Sequence, residues 1–268
     1  MTAAYPEIGE VISYIHDHLY EPLSLDRLAN VAAYSPYHFS RLFKEQTGLS
    51  PLYYVSALRL QKAKDLLLNT NLTVRDIGME IGQQSVGTFT TRFTERVGMT
   101  PAEFRKFTGK AENHLNALQK LNEWSDIGIT EREANPYLTI QGTVKAEAPF
   151  DGVILIGLFA KPIPEGLPLY GTLLPSLGQF CFPNVQPGIY YLMATSVPWG
   201  MQPIDFILPY QTLRTRTTKP IIVGTESMIP HQDVMLRAPR FDDPPILISL
   251  PLLMKIFLNR VTARETGS

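Results

Sequence analysis

Apolar positions recur at helical spacing through roughly the first 125 residues and at strand spacing after residue 136. In residues 7–20, Ile8, Val11, Ile12, Ile15 and Leu19 share one stripe, which predicts an amphipathic helix. Residues 23–51, LSLDRLANVAAYSPYHFSRLFKEQTGLSP, and residues 72–101, LTVRDIGMEIGQQSVGTFTTRFTERVGMTP, then carry one pattern twice. Phe39, Phe43, Gly48 and Pro51 recur 50 residues later as Phe89, Phe93, Gly98 and Pro101. Upstream, Leu23, Ser24, Leu28 and Ala33 recur at an offset of 49 as Leu72, Thr73, Ile77 and Gly82, so the second copy has one extra residue in its bend. Two copies are too few for a solenoid and indicate a duplicated supersecondary module.

Each copy predicts two helices joined by a tight turn. Ser24 and Thr73 are N-cap residues with an apolar position directly after them. The short helices that follow bury Leu25, Leu28 and Ala32 in one copy and Val74, Ile77 and Ile81 in the other, with Ala29 and Gly78 where helices approach closely. Bends fall at Ala33–Tyr34 and Gly82–Gln83, where glycine tolerates a positive φ. Ser35 with Pro36, and Ser85, open the second helices.

Those second helices carry Phe39, Leu42, Phe43 and Gln46, or Val86, Phe89, Phe93 and Val97, on one face. The opposite faces present Tyr37, Ser40, Arg41 and Lys44 in the first copy, and Gly87, Thr88, Thr91 and Glu95 flanked by Arg92 and Arg96 in the second. A helix that is apolar beneath, polar outside and propped on a short scaffold helix is what major-groove readout requires. A helical bundle with solvated polar faces is the plainer reading of either copy alone. Two copies in register, each ending Gly-x-(Ser/Thr)-Pro, argue against it.

The Phe39–Ser40–Arg41 and Phe43–Lys44 run, the Phe89–Thr90 and Phe93 run and both terminators resemble the DNA-binding domain of the AraC/XylS family over about residues 7–108. The resemblance implies two helix-turn-helix modules on one face of double-stranded DNA, joined by a long helix and entering successive major-groove segments. It places DNA contacts at Tyr37, His38, Ser40, Arg41 and Lys44 of the first recognition helix. On the second it places them at Val86, Gly87, Thr88, Thr91 and Arg92. The family usually has arginine where Thr91 stands, and here the arginine is the next residue, Arg92. Domain order departs as well. Most members put a cupin-like sensing domain first, so no effector class carries over to a β-rich region that comes last.

Between the copies, residues 52–69 predict a connecting helix with Leu52, Val55, Leu58, Leu66 and Leu67 packed and Arg59, Lys62 and Lys64 in water. Its stiffness would fix the spacing of the two recognition helices. A short closing helix at 102–107, with Phe104 and Phe107 inward, and a connector helix at 110–125 follow. Of the 22 prolines, 17 lie between residues 136 and 251, a density that favours strands and turns over long helices. Candidate strands are 138–144, 153–159, 180–182, 189–194, 206–208 and 221–223, which predict an antiparallel β-sandwich. Residues 137–225 loosely resemble prealbumin-like or carboxypeptidase-regulatory-like sandwiches. A terminal apolar helix is expected at 246–261, introduced by Asp242–Asp243. The fold class is thus multidomain α + β, with a double helix-turn-helix at 1–109, a helical connector at 110–135 and a sandwich-like effector or oligomerisation domain at 136–268.

Charge and chemistry alter this picture little. Residues 1–110 hold 12 Lys/Arg against 11 Asp/Glu, so DNA affinity would rest on local clustering and depend clearly on salt. One cysteine, Cys181, excludes a disulfide framework within the chain and fits a reducing cytoplasm. Residues 1–20 contain Glu7, Glu10 and Asp17 and no apolar run fit for a signal peptide, and no stretch is apolar enough to span a membrane. His16 and His18 cannot share a helix face as a metal pair. Ser176, Ser196 and Ser249 lack a nucleophile elbow, and no phosphate loop or dinucleotide fingerprint is present, so neither an enzyme nor a cofactor is expected. The expected function is a sequence-specific DNA-binding transcription regulator whose last domain senses a small molecule, self-associates, or both. Two alternatives stay open at this stage: a β-sandwich carbohydrate- or ligand-binding module with an oligomerising helical half, and an enzyme with an unrecognised site in residues 137–250. Trp199, in a loop, is the aromatic to watch for a pocket.

Overall fold

The computed structural model describes residues 5–83, 85–121, 124, 135–224 and 228–267. The chain divides into two compact units, one of Met1–Lys106 with Arg240–Leu247 and one of Phe107–Pro239 with Ile248–Ser268. Residues 122–123 and 125–134, within the expected connector, lie outside the described residues.

Among the described residues up to 119, seven helices appear in order: α1 (Pro6–Asp17), α2 (Leu25–Val31), α3 (Pro36–Thr47), α4 (Pro51–Asn69), α5 (Val74–Glu80), α6 (Val86–Val97) and α7 (Pro101–Gln119). Their ends follow from local chemistry. Ser24, Ser35 and Ser85 accept hydrogen bonds from the backbone N–H three residues on, and Thr73 with Asp76 forms a full capping box. Gly48 and Gly98 close α3 and α6 in the left-handed conformation, at φ 77 and 89. The two bends are built alike. Tyr34 N–H donates to Ala29 and Gln83 N–H to Gly78, around left-handed residues Ala33 and Gly82. Gly78 lets α5 close on α6, since a Cβ there would sit 3.3 Å from the Phe89 ring.

Helix α4 serves both modules, and this overturns two expectations. Lys64, expected in water, is fully buried: its Nζ lies 5.7 Å from the Phe104 ring and donates to the Ile246 carbonyl at 3.0 Å. Leu52, expected to pack, is 48% exposed. Helices α2, α3 and α5 all pack on α4, so one apolar stripe cannot describe its contacts. Residues 240–247 join this unit as a strap, with Ile246 and Leu247 buried and the Phe241 ring 5.1 Å from His16.

Helix α7 is one helix where two were expected. Gly109, in open space, costs propensity but does not break it. Along its later half His114 lies 5.5 Å from Phe107. Burial, then Lys255 and Lys110, hold its imidazole below the usual value. The folded state therefore favours the neutral ring. Its stabilising contribution is complete above the unfolded pKa of about 6.5 and is lost as pH falls through that value toward the depressed folded one. Urea midpoints should drop between pH 7.5 and pH 5, and a His114→Gln variant should drop less; parallel curves would exclude this role.

The second unit holds strands β1 (Ile140–Ala146), β2 (Gly152–Phe159), β3 (Tyr170–Leu174), β4 (Gly178–Phe182), β5 (Gly188–Pro198), β6 (Arg214–Arg216), β7 (Ile221–Val223) and β8 (Gln232–Leu236). One sheet runs β4-β1-β8 and the other β3-β2-β5-β6, with β7 also on β5. Their inner faces share one core that includes Ile140, Val144, Ile156, Phe180, Leu192 and Val234. Backbone bonds in both directions between Arg214 and Arg237 stitch one edge of the two sheets. The expected purely antiparallel pattern is wrong at one pair, because β1 and β8 run parallel. Every residue of β2 is buried, the signature of a strand covered on both faces. Gly157 and Gly171, partners across β2 and β3, leave a slot that the Pro168 ring fills.

Three further expectations change. Residues 203–207 form helix α8 (Pro203–Ile207), not a strand at 206–208, because Pro203 presets a first helical turn. The terminal helix α9 (Leu250–Gly267) begins four residues later than expected, past Pro244 and Pro245, and buries Leu250, Met254, Phe257 and Val261. Trp199, singled out for a pocket, lies edge-on to Trp124 at 6.3 Å, and Trp124 lies 5.7 Å from Phe257, so Trp199 belongs to an aromatic cluster.

Candidate nucleic-acid interface

The two second helices, α3 and α6, present the candidate surface. Phe39, Leu42 and Phe43 anchor α3, and Phe89, Phe93 and Val97 anchor α6, all buried. With these side chains fixed, the outward positions are set by the 3.6-residue repeat. Tyr37 is 83% exposed, Arg41 and Lys44 are exposed, and His38 and Ser40 are half-buried. On α6, Gly87, Thr88, Thr91 and Arg92 are exposed. Val86, which the sequence also assigned to the packed face, is 39% exposed and sits on the outward side of the first turn.

Basic residues divide by what already holds them. Arg92 donates to Gln83 Oε1 at 3.1 Å, which ties it to the bend ahead of α6. Arg96 stacks 4.2 Å over the Tyr53 ring and donates to Ser56 on α4, so it braces α6 against the connecting helix. Arg59 donates to the Leu19 and Glu21 carbonyls, and Arg105 to the Leu67 and Leu72 carbonyls. Each of the latter two clamps the loop that leads into a scaffold helix. Sequence reasoning missed these braces, since a carbonyl acceptor leaves no mark on residue type. Among the described residues no group of three or more His, Cys, Asp or Glu could hold a metal ion, and no helix is long and apolar enough to cross a membrane.

Comparison with known proteins bears on this region. Residues 28–106 match a helix-turn-helix domain family. The chain is 42% identical to the uncharacterized HTH-type transcriptional regulator YobQ of Bacillus subtilis over 94 residues, 35% of this chain and 39% of that protein. It is 34% identical over 104 residues to the bifunctional transcriptional activator/DNA repair enzyme AdaA of Bacillus subtilis, 39% of this chain and 49% of that one. Against the right origin-binding protein of Escherichia coli it is 36% identical over 122 residues, 46% of this chain and 37% of the relative. The chain thus spans less than half the length of each of these relatives. Two capped, glycine-closed modules with exposed second helices, together with these matches, mark residues 28–106 as a helix-turn-helix domain similar to those of transcriptional regulators.

Proposed function

We propose that the chain is a sequence-specific transcription regulator that reads double-stranded DNA with α3 and α6 in successive major-groove segments. The observation that carries this reading is the pairing of two recognition-type helices, alike in caps and anchors, that both touch the connecting helix α4, Phe43 of α3 against Tyr54 and Arg96 of α6 against Tyr53 and Ser56. Tyr37, His38, Ser40, Arg41 and Lys44 would contact the first segment, and Val86, Gly87, Thr88, Thr91 and Arg92 the second. Arg41 is the strongest reader by chemistry, because an exposed guanidinium can engage guanine O6 and N7 together. The sheet-bearing region, likened above to prealbumin-like sandwiches, would sense a small molecule or mediate self-association. Its two shared-core sheets support a role as a folded module in its own right. The repair activity in AdaA's name belongs to that protein.

The test is a fluorescence-anisotropy titration on the DNA upstream of the protein's own coding region, at two salt concentrations. Wild type should prefer that duplex over a scrambled one, with affinity falling as salt rises. Arg41→Ala should lose about 1–3 kcal/mol and most of the preference. Equal, weak binding of both proteins to every duplex would reject the reading.

A further inference from the structure

At the 50-residue offset, Tyr37, His38, Arg41 and Lys44 of α3 are answered on α6 by Gly87, Thr88, Thr91 and Thr94. Each of these four long or ring-bearing donors gives way to glycine or threonine. The two arginines that remain on α6 are engaged within the protein, Arg92 with Gln83 and Arg96 with Tyr53 and Ser56. One turn beyond Thr91 the exposed side chain is an acid, Glu95. What α6 offers outward at its start is therefore methyl groups and short hydroxyls: Val86, Thr88 and Thr91, around a bare backbone at Gly87.

We infer that α6 reads thymine methyl groups, while α3 reads bases by hydrogen bonds from long side chains. The inference rests on the two-segment DNA reading above. Threonine and valine cannot span the distance an arginine covers, so α6 must lie closer to the base edges than α3. Gly87 permits that approach by presenting bare backbone outward, and packing within the chain does not demand a glycine there, since a Cβ would meet only Ser85 Oγ, at 3.7 Å. Of the four bases, only thymine puts a methyl group into the major groove, and apolar contact with it is the favourable partner for a threonine or valine methyl. Guanine presents two acceptors that need donors of the Arg41 kind. Cytosine presents an amine that Val86 would leave unpaired. The second half-site is accordingly thymine-rich, and the first carries guanine.

Duplexes are selected with the full chain from a random-sequence library, and the first half-site is assigned as the one whose preference Arg41→Ala abolishes. In the best duplex, uracil, which is thymine without its methyl, replaces thymine in one half-site at a time. Affinities are read by anisotropy for wild type and for a Val86→Ala, Thr91→Ser double variant. Uracil in the second half-site should weaken wild-type binding about fourfold per contacted thymine. In the first half-site it should change little, and the double variant should lose most of the sensitivity. If the selected duplex is preferred over a scrambled one yet tolerates uracil in the second half-site, the inference fails and the DNA reading stands. If no duplex is preferred over scrambled sequence, both fail together.

Discussion

Phe43→Ala is expected to destabilise the first helix-turn-helix by about 3–5 kcal/mol, and Phe93→Ala to do the same in the second. Both rings are fully buried and occupy equivalent places. Phe43 lies edge-on to Phe39 at 5.5 Å and to Tyr54 of α4 at 5.4 Å. Phe93 lies edge-on to Phe89 at 5.7 Å and to Phe104 of α7 at 5.6 Å. Alanine would forfeit the burial of a ring and both edge contacts, leaving a cavity that three helices cannot all close. Urea unfolding followed by circular dichroism should show the loss in each variant. Tyr37→Ala, on the exposed face of the same helix α3, should stay within about 0.5 kcal/mol of wild type. A loss under about 1 kcal/mol at Phe43 would mean that the rings fill space without anchoring α3.

The duplicated module could be read from sequence because its signals are local. Caps at Ser24 and Thr73, the bend at Gly82 and the closing glycines Gly48 and Gly98 act within a turn of where they stand. The outward positions of α3 and α6 followed from the same periodicity. What escaped was set by distant partners. Lys64 reads as a wet helix residue until the strap at 240–247 brings the Ile246 carbonyl to its ammonium. Strands β6 and β8 are short and become strands only through pairing with β5 and β1. The parallel sense of β1 and β8 could not be read from either segment, because alternation reports which face is buried and not the direction of a neighbour. On α6, the arginine order was plain in the sequence, whereas the tether of Arg92 to Gln83 was not.

Gly142→Ala is expected to destabilise the sheet-bearing unit by about 3 kcal/mol. Gly142 sits in mid-strand on β1, between Phe180 of β4 and Gln232 of β8. A Cβ at this position would lie 2.0 Å from the Gln232 carbonyl oxygen and 2.7 Å from the Phe180 ring. The ring could rotate away, but the carbonyl belongs to the backbone of the parallel partner. Relief therefore requires β8 to move, and with it Val234 and Leu236, which fill the shared core. A strand glycine of this kind marks a close backbone approach and not a flexible point. Gly224→Ala is the matched control, since a Cβ there meets nothing within 4 Å. It should unfold within about 0.5 kcal/mol of wild type. Were Gly142→Ala to unfold at the same urea concentration as Gly224→Ala, β8 would have to lie farther from β1 than this register places it.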